Sequence, residues 1–432
     1  MQARSRIIPT VAIVDGYSSG ALLAPLFRSR GFRMIHVQSQ ETIPTQFAPS
    51  FVRDDFHANI IHRSLEDSVR QLKELSVCQV LSGGVDSAVE VADALSYELG
   101  TLTNGIRLSA ARRDKWLMVK TLEKAGIRTI PSCLAHSLTE ARIWARSKYP
   151  VIAKPRRSAG TDNVWLCHRW PQLEHAIQSI TESRTIFGEI NDGVLLQEYI
   201  LGTEYIVDTV SYKNAVAITE ICRYRKKALG GTIVYDAVEL LPSVGTLQAL
   251  LSSYTISILR ALGLQYGPAH FEIMVDKSGP VLVEVGARLD GARAPELCQA
   301  ATGQNQAEMT MLCYADAGEF ETRSRVPYAV QKHLLRVHLI SERSGIIRGL
   351  PFLGSLKALP SFHSIYKLLS AGDVLPRTTS LLNLPGIVDL IHPSRETLWT
   401  DYKQIREWES AGFFQLESQP LPDANRRAAV AS

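Results

Sequence analysis

The sequence predicts an α/β protein: a parallel sheet with covering helices at the front of the chain, and further on a strand hairpin that carries paired carboxylates. Three observations lead there. Residues 9–40 read strand, turn, helix, strand, with TVAIVDG an apolar run, SSG a turn, ALLAPLFRSRG an amphipathic helix closed by Gly31, and FRMIHVQS a second strand. Strands joined through a helix lie parallel. The stretch GPAHFEIMVDKSGPVLVEVGARLDGAR, 267–293, reads as two apolar strands around the turn Asp276-Lys277-Ser278-Gly279. Finally, 432 residues suffice for about three domains at roughly 150 residues each.

The remaining elements follow in order. SLEDSVRQLKELS is a helix and VCQVL a strand, and LSGGVDSAVEVAD (81–93) opens a helix with Val89, Val91, Ala92 and Leu95 on one face. The first domain therefore spans 1–110. LSAARRDKWLMVKTLEKAGIRTIPS gives a helix closed by Gly126 and a strand leading to Pro131; a helical stretch over 137–148 precedes the strand YPVIAKP, in a domain of residues 111–199. The third domain, 200–420, ends in the helix TLWTDYKQIREWE, and 421–432 reads as a disordered tail.

Composition excludes several classes. Net charge is +4, from 47 basic and 43 acidic residues well mixed, so no field for nucleic acid or membrane exists and anions need local clusters. Six dispersed cysteines without a CxxC pair read as reduced, buried small hydrophobes. Neither a signal-peptide pattern nor an 18-residue apolar window occurs, so the expected compartment is the cytoplasm.

Three stretches carry chemistry. In YPVIAKPRRSAGTDNVWLCH (149–168) a strand ends at Lys154, and a loop with Ser158, Gly160 and Thr161 is rich in backbone donors, as a cover for phosphates would be. In VLLQEYILGTEYIVDTVSY (194–212), Gln197, Glu198 and Glu204 border an apolar Tyr199-Ile200, a composition that suits an adenine ring and a ribose diol. In 267–293, Glu272 and Glu284 lie in apolar runs where a carboxylate is costly unless it meets a cation; paired strands can bring both to one face as hard donors for Mg²⁺. Arg288 follows between Gly286 and Gly291. Each stretch also has a plain reading: an exposed hairpin, strand-end polar residues, or a structural ion pair of Arg288 with one glutamate.

Taken in order, Lys115, Lys154 with its small-residue loop, QEYI…E and Glu…E-x-G-x-R resemble the ATP-grasp superfamily, and within it the L-amino acid ligases of the bacilysin-synthetase type. The resemblance covers residues 10 to about 410. It implies an ATP-grasp fold with a Rossmann-like (pre-ATP-grasp) N-terminal domain, a small lobe with a lid loop, and a large lobe with a C-terminal lid. By the same resemblance, Lys115 and Lys154 contact the phosphates of ATP. Ser158, Gly160 and Thr161 cover the γ-phosphate. Gln197 or Glu198, with the Tyr199–Ile200 backbone, reads adenine, and Glu204 the ribose. Glu272 and Glu284 hold Mg²⁺, with Mn²⁺ as a substitute, and Arg288 faces the acyl phosphate and oxyanion. Asp290, Gly291 and Ala292 border the substrate, the small Ala292 leaving room for a larger side chain.

The implied reaction joins two L-amino acids through an aminoacyl phosphate, releasing ADP and phosphate; by analogy the chain is a homodimer. Rival readings are a ligase for another acid or amine and a non-catalytic ATP-binding protein. Two departures stand out. Gly286 replaces the asparagine common in the superfamily, and Asp162 sits in the lid, expected to point away or pair with Arg156 or Arg157. His270 is expected to pack in the sheet, with a place near the phosphates as the alternative, and the basic run Arg223–Lys227 to be a solvated face or a carboxylate receiver. LSGGVDS also spells a pyrophosphate loop, but about four elements precede it, whereas such a loop follows the first strand of its domain. It fits instead the element that starts the last helix of the N-terminal domain in this family.

Overall fold

Alternation of strand and helix at the front of the chain builds the expected parallel sheet, in the order Ala58–Ile61, Arg33–Gln38, Thr10–Val14, Val77–Ser82. The computed structural model describes residues 8–229 and 232–417, so the tail expected from 421 lies outside them. The helix Leu65–Glu74 starts where Ser64 accepts a hydrogen bond from the Asp67 N–H, with Glu66 and Asp67 complementing the helix dipole. The helix Ala88–Glu98 buries Val89, Ala92 and Leu95 of the face read from the sequence, and leaves Val91 half-buried.

A second sheet is antiparallel, in the order Ser132–Ala135, Val194–Glu198, Val151–Pro155, Trp165–Cys167. Its first strand begins after Pro131, not before it: proline has no N–H to give a ladder. A larger antiparallel sheet places Gly279–Gly286 beside Tyr266–Asp276, then Thr203–Tyr212 and the strand from Ala215. Val11 and Ile13 of the N-terminal sheet, with Leu23 and Phe27 of the helix Leu23–Ser29, share one core with Val210 of the large sheet, Leu289, and Met309 and Leu312 of the helix Gln306–Ala315.

By compactness, one unit takes the described residues up to Arg225 with Val238–Leu334, and the other takes Lys226–Ala237 with the described residues from Leu335. In the second unit, strands Phe362–Leu368 and Gly386–His392 pair antiparallel and pack with helix Arg395–Ser410 through Leu390, Leu398 and Ile405. No helix among the described residues is long and apolar enough to cross a membrane. Of the six cysteines, all free, four are buried as expected, but Cys78 is exposed and Cys133 half-exposed. Both lie on short strands of four to six residues near sheet ends.

Candidate active site

Lys115 owes its place to the residue before it. The Asp114 side chain accepts from the N–H groups of Trp116 and Leu117 at 3.0 and 3.2 Å and so caps the helix Lys115–Lys124. That makes Lys115 the first helical residue. Its ammonium reaches Glu284 at 3.0 Å and donates to the Ser158 carbonyl, and its own N–H donates to the Arg156 carbonyl at 3.0 Å. Lys154, at the end of strand Val151–Pro155, is buried rather than snorkelling. Burial, reinforced by Lys115 and opposed by Glu284, Glu272 and Glu204, brings its ammonium down to about 8. Two lysines and three carboxylates thus converge on one place.

The two glutamates face each other because the hairpin slips by one residue. From the Asp276–Gly279 turn the strands pair regularly as far as Ile273 with Leu282. Continued in that register, Glu272 would oppose Val283, and Glu284 would point to the other face. Instead Val283 is bulged, and Glu272 lies directly opposite Glu284, each side chain about one-fifth exposed. Residues directly opposite lie with Cβ atoms about 5 Å apart on one face. The pair therefore fits a divalent cation held by hard oxygen donors, with phosphate or water completing the set.

The same face carries a second row. Gly286, His270, Asp208 and Glu220 oppose one another across four strands. His270 is buried in the sheet and sets Nδ1 against Asp208 at 2.8 Å and Asp290 at 3.4 Å, with Nε2 3.8 Å from Glu272. Burial disfavours its charged form, but Asp290 and Asp208 outweigh burial and raise its pKa well above the ordinary histidine value. Burial and Asp208 push Glu220 well above the carboxylate range. Asp208 and Glu220 were not singled out from the sequence. Their only signal was an acid in the middle of an apolar strand, which becomes readable once the register is known.

Arg288 is buried and pairs at 3.3 Å with Asp86, not with a glutamate. Burial opposes the Asp86 charge, but Arg288 and Lys115 hold its carboxyl below the usual range. The segment that resembled a pyrophosphate loop is closed by packing. An added Cβ on Gly83 would lie 2.2 Å from the Asp15 carbonyl oxygen, and one on Gly84 would lie 2.5 Å from the Gly20 nitrogen. The first βα turn is what fills that space, with Ser19 and Gly20 buried. Backbone of the neighbouring turn thus covers the side of Gly83 and Gly84 that a side chain would occupy.

The lid loop turns through positive φ at Gly160 (67°), Thr161 (61°) and Asn163 (52°), the last as its residue type allows. Asp162 pairs with neither Arg156 nor Arg157. Its carboxylate accepts from the Ser158 hydroxyl at 2.6 Å and the Ile186 N–H at 3.2 Å, which leaves Arg156 to Asp114 and Asp192, and Arg157 to Glu90. On the adenine side, Gln197 is buried and donates to Ser132 at 3.0 Å, Glu198 is drawn to Lys148, and the Tyr199 N–H donates to the Pro150 carbonyl at 3.3 Å. Ile200 follows, half-buried, and Glu204 is buried at the start of its strand. Asp290 donates its N–H to Gln306 at 2.8 Å; Gly291 follows, and Ala292 is left-handed with φ 52°. In the basic run, Arg223 and Arg225 are taken by Glu239 at 2.5 and 3.1 Å.

Residues 112–292 match the family model of the ATP-grasp domain. Dapdiamide A synthase of Enterobacter agglomerans is 30% identical over 416 residues, which are 94% of this chain and 97% of that protein. The D-alanine–D-alanine ligase of Halalkalibacterium halodurans is 27% identical over 238 residues, 51% of this chain and 74% of its own length. The crystal structure of L-amino acid ligase from Bacillus licheniformis superposes with a TM-score of 0.73 at 18% identity, covering 93% of this chain and 98% of that one, and so shares the fold. A likeness that runs nearly end to end through both chains, around a core the family model also matches, leaves one conclusion: this chain belongs to the ATP-grasp family.

Proposed function

We propose that the protein is an ATP-dependent carboxylate–amine ligase that joins two L-amino acids into a dipeptide and releases ADP and phosphate. The observation that carries this reading is the convergence of Lys115 and Lys154 on the opposed Glu272 and Glu284. The end-to-end likeness to dapdiamide A synthase supports it.

A carboxylate is a poor electrophile, because its charge is delocalised and oxide leaves badly. Attack of a substrate carboxylate oxygen on the γ-phosphorus of ATP breaks the bond to ADP and makes an acyl phosphate. Lys115 and Lys154 hold and neutralise the phosphates as point charges. A divalent cation, magnesium or manganese, held by Glu272 and Glu284 would add charge neutralisation at the transferring group. The amine of a second amino acid then attacks the acyl carbon. Arg288 stabilises the tetrahedral oxyanion, phosphate leaves, and the amine gives up its proton. Removing one such donor costs about 10²–10³ in rate. The loop over 156–163, held by Asp114, Glu90 and Lys115, shields the intermediate from water.

The test is phosphate release by the purified protein with ATP, Mg²⁺ and pairs of the twenty amino acids, with products weighed by mass spectrometry. The reading expects phosphate that depends on particular amino acids, and a product of their summed mass less one water. AMP and pyrophosphate, or phosphate indifferent to amino acids, would overturn it.

A further inference from the structure

We propose that Asp86 is a positioning residue for Arg288, so that the GVDSAVEVAD segment of the N-terminal domain belongs to the catalytic machinery. The inference rests on the ligase reading only for what Arg288 does; the pairing itself is geometric.

Of the acids in the segment, Asp86 lies in the turn just before the helix Ala88–Glu98, and Glu90 and Asp93 lie three residues apart within it, on neighbouring positions of its surface. Each meets an arginine. Asp86 meets Arg288, Glu90 meets Arg113 and Arg157, and Asp93 meets the buried Arg112 at 2.7 Å. Only the first of these arginines lies in the loop next to the glutamate hairpin. The two loops are stitched together. Ser82 donates to the Ala287 carbonyl at 2.8 Å, the Leu289 N–H meets the Gly83 carbonyl at 3.4 Å, and the Arg293 N–H donates to Ser19 at 2.9 Å. Ser87 in turn donates to Asp15 at 2.8 Å, which holds the start of the helix. Asp86 is thus presented from a rigid turn and is four-fifths buried at its side chain.

Gly286 supplies the space. It ends the row Glu220, Asp208, His270, and the absent side chain is replaced by a carboxylate from another segment. A Cβ there would lie 2.8 Å from Asp86 Oδ1 and 3.0 Å from Arg288 Cζ. A buried guanidinium held on one side by a carboxylate has fewer orientations available, and its remaining N–H groups stay aimed. Its Nη1 also donates to the Leu289 carbonyl at 3.0 Å. Misplacing a catalytic group by about 1 Å can cost about 10² in rate.

The experiment is a kinetic cycle on the full chain with Asp86→Asn, Arg288→Lys, the double variant, and Gly286→Ala. Asp86→Asn should lower kcat about 10²-fold and leave the KM values for ATP and amino acids within about threefold. In the Arg288→Lys background the same change should cost less than about threefold, because Asp86 acts through the arginine. Gly286→Ala, which pushes on the pair from the other side, should reproduce the kcat defect. Independent, multiplying losses in the cycle would overturn the proposal, as would wild-type kcat in Gly286→Ala. Mg-ADP binding by calorimetry shows that each variant is folded. If the wild type releases no phosphate with any amino acid, the ligase reading fails but the pairing does not. Phenylglyoxal labelling of Arg288, mapped by mass spectrometry, then decides it. Labelling should rise in Asp86→Asn and not in Glu90→Gln, and an unchanged level in both would refute the proposal.

Discussion

Lys154 offers a direct test of the phosphate assignment, because its burial gives it a titration that few lysines show in an accessible range. Its ammonium is brought down to about 8, against about 10.4 for a free lysine. A depressed pKa means that the charged form, which phosphate requires, is lost as pH rises through about 8. About 90% of the free protein carries the charge at pH 7 and about 10% at pH 9, and apparent affinity scales with the competent fraction. The apparent Kd for Mg-ADP should therefore rise about ninefold between pH 7 and 9. Lys154→Arg keeps its charge throughout this range, so its Kd should be weaker at pH 7 but flat. Isothermal calorimetry in one buffer series reads both and needs no knowledge of the substrates. A flat wild-type profile, or the same slope in Lys154→Arg, would show that Lys154 does not carry the phosphate contact.

Three further outcomes are expected. Asp93→Ala strands Arg112, which is 1% exposed, and should cost about 3–5 kcal/mol in urea unfolding; a loss under about 1 kcal/mol would mean that the carbonyls of Leu262 and Gly105, which Arg112 also meets, suffice. Ala292→Trp should narrow the range of amino acids that trigger phosphate release, and an unchanged range would remove Ala292 from the substrate pocket. In the second unit, burial pushes His338 down to about 3, with Arg336 and Arg406 reinforcing the shift. Its folded pKa lies below the unfolded value of about 6.5. The neutral side chain thus stabilises fully above that pH, and the contribution is lost as pH falls toward about 3, at about 1.4 kcal/mol per pH unit. His338→Phe should flatten that part of the acid-unfolding profile; an identical slope in both proteins would contradict it.

Much of the site could be read in advance because its residues sit where local pattern is strong. Lys154 closes an apolar run, Glu272 and Glu284 interrupt two others, and Arg288 follows between glycines. Each is an anomaly against hydrophobic periodicity, and such anomalies mark function. The partners of His270 and Asp162 were hidden for the opposite reason. The sequence neighbours of these two residues say nothing of Asp208, Asp290 or Ile186, which reach them from 20 to 62 residues away.

What the sequence determined by itself is the α/β class, the order of elements and the charged residues that interrupt apolar strands, since these follow from periodicity and spacing along one strand. Tertiary structure decided the facing of the two glutamates. The turn alone sets a register in which they point to opposite faces, and only the bulge at Val283, on the edge strand Gly279–Gly286, brings them together. It also decided the role of LSGGVDS. Its glycines look like a phosphate cradle until the first βα turn is packed against them, and Asp86 has no visible purpose until Arg288, 202 residues away, is folded beside it. Side-chain period along a strand is local; register between strands and pairing of buried charges are set by what else occupies the same volume.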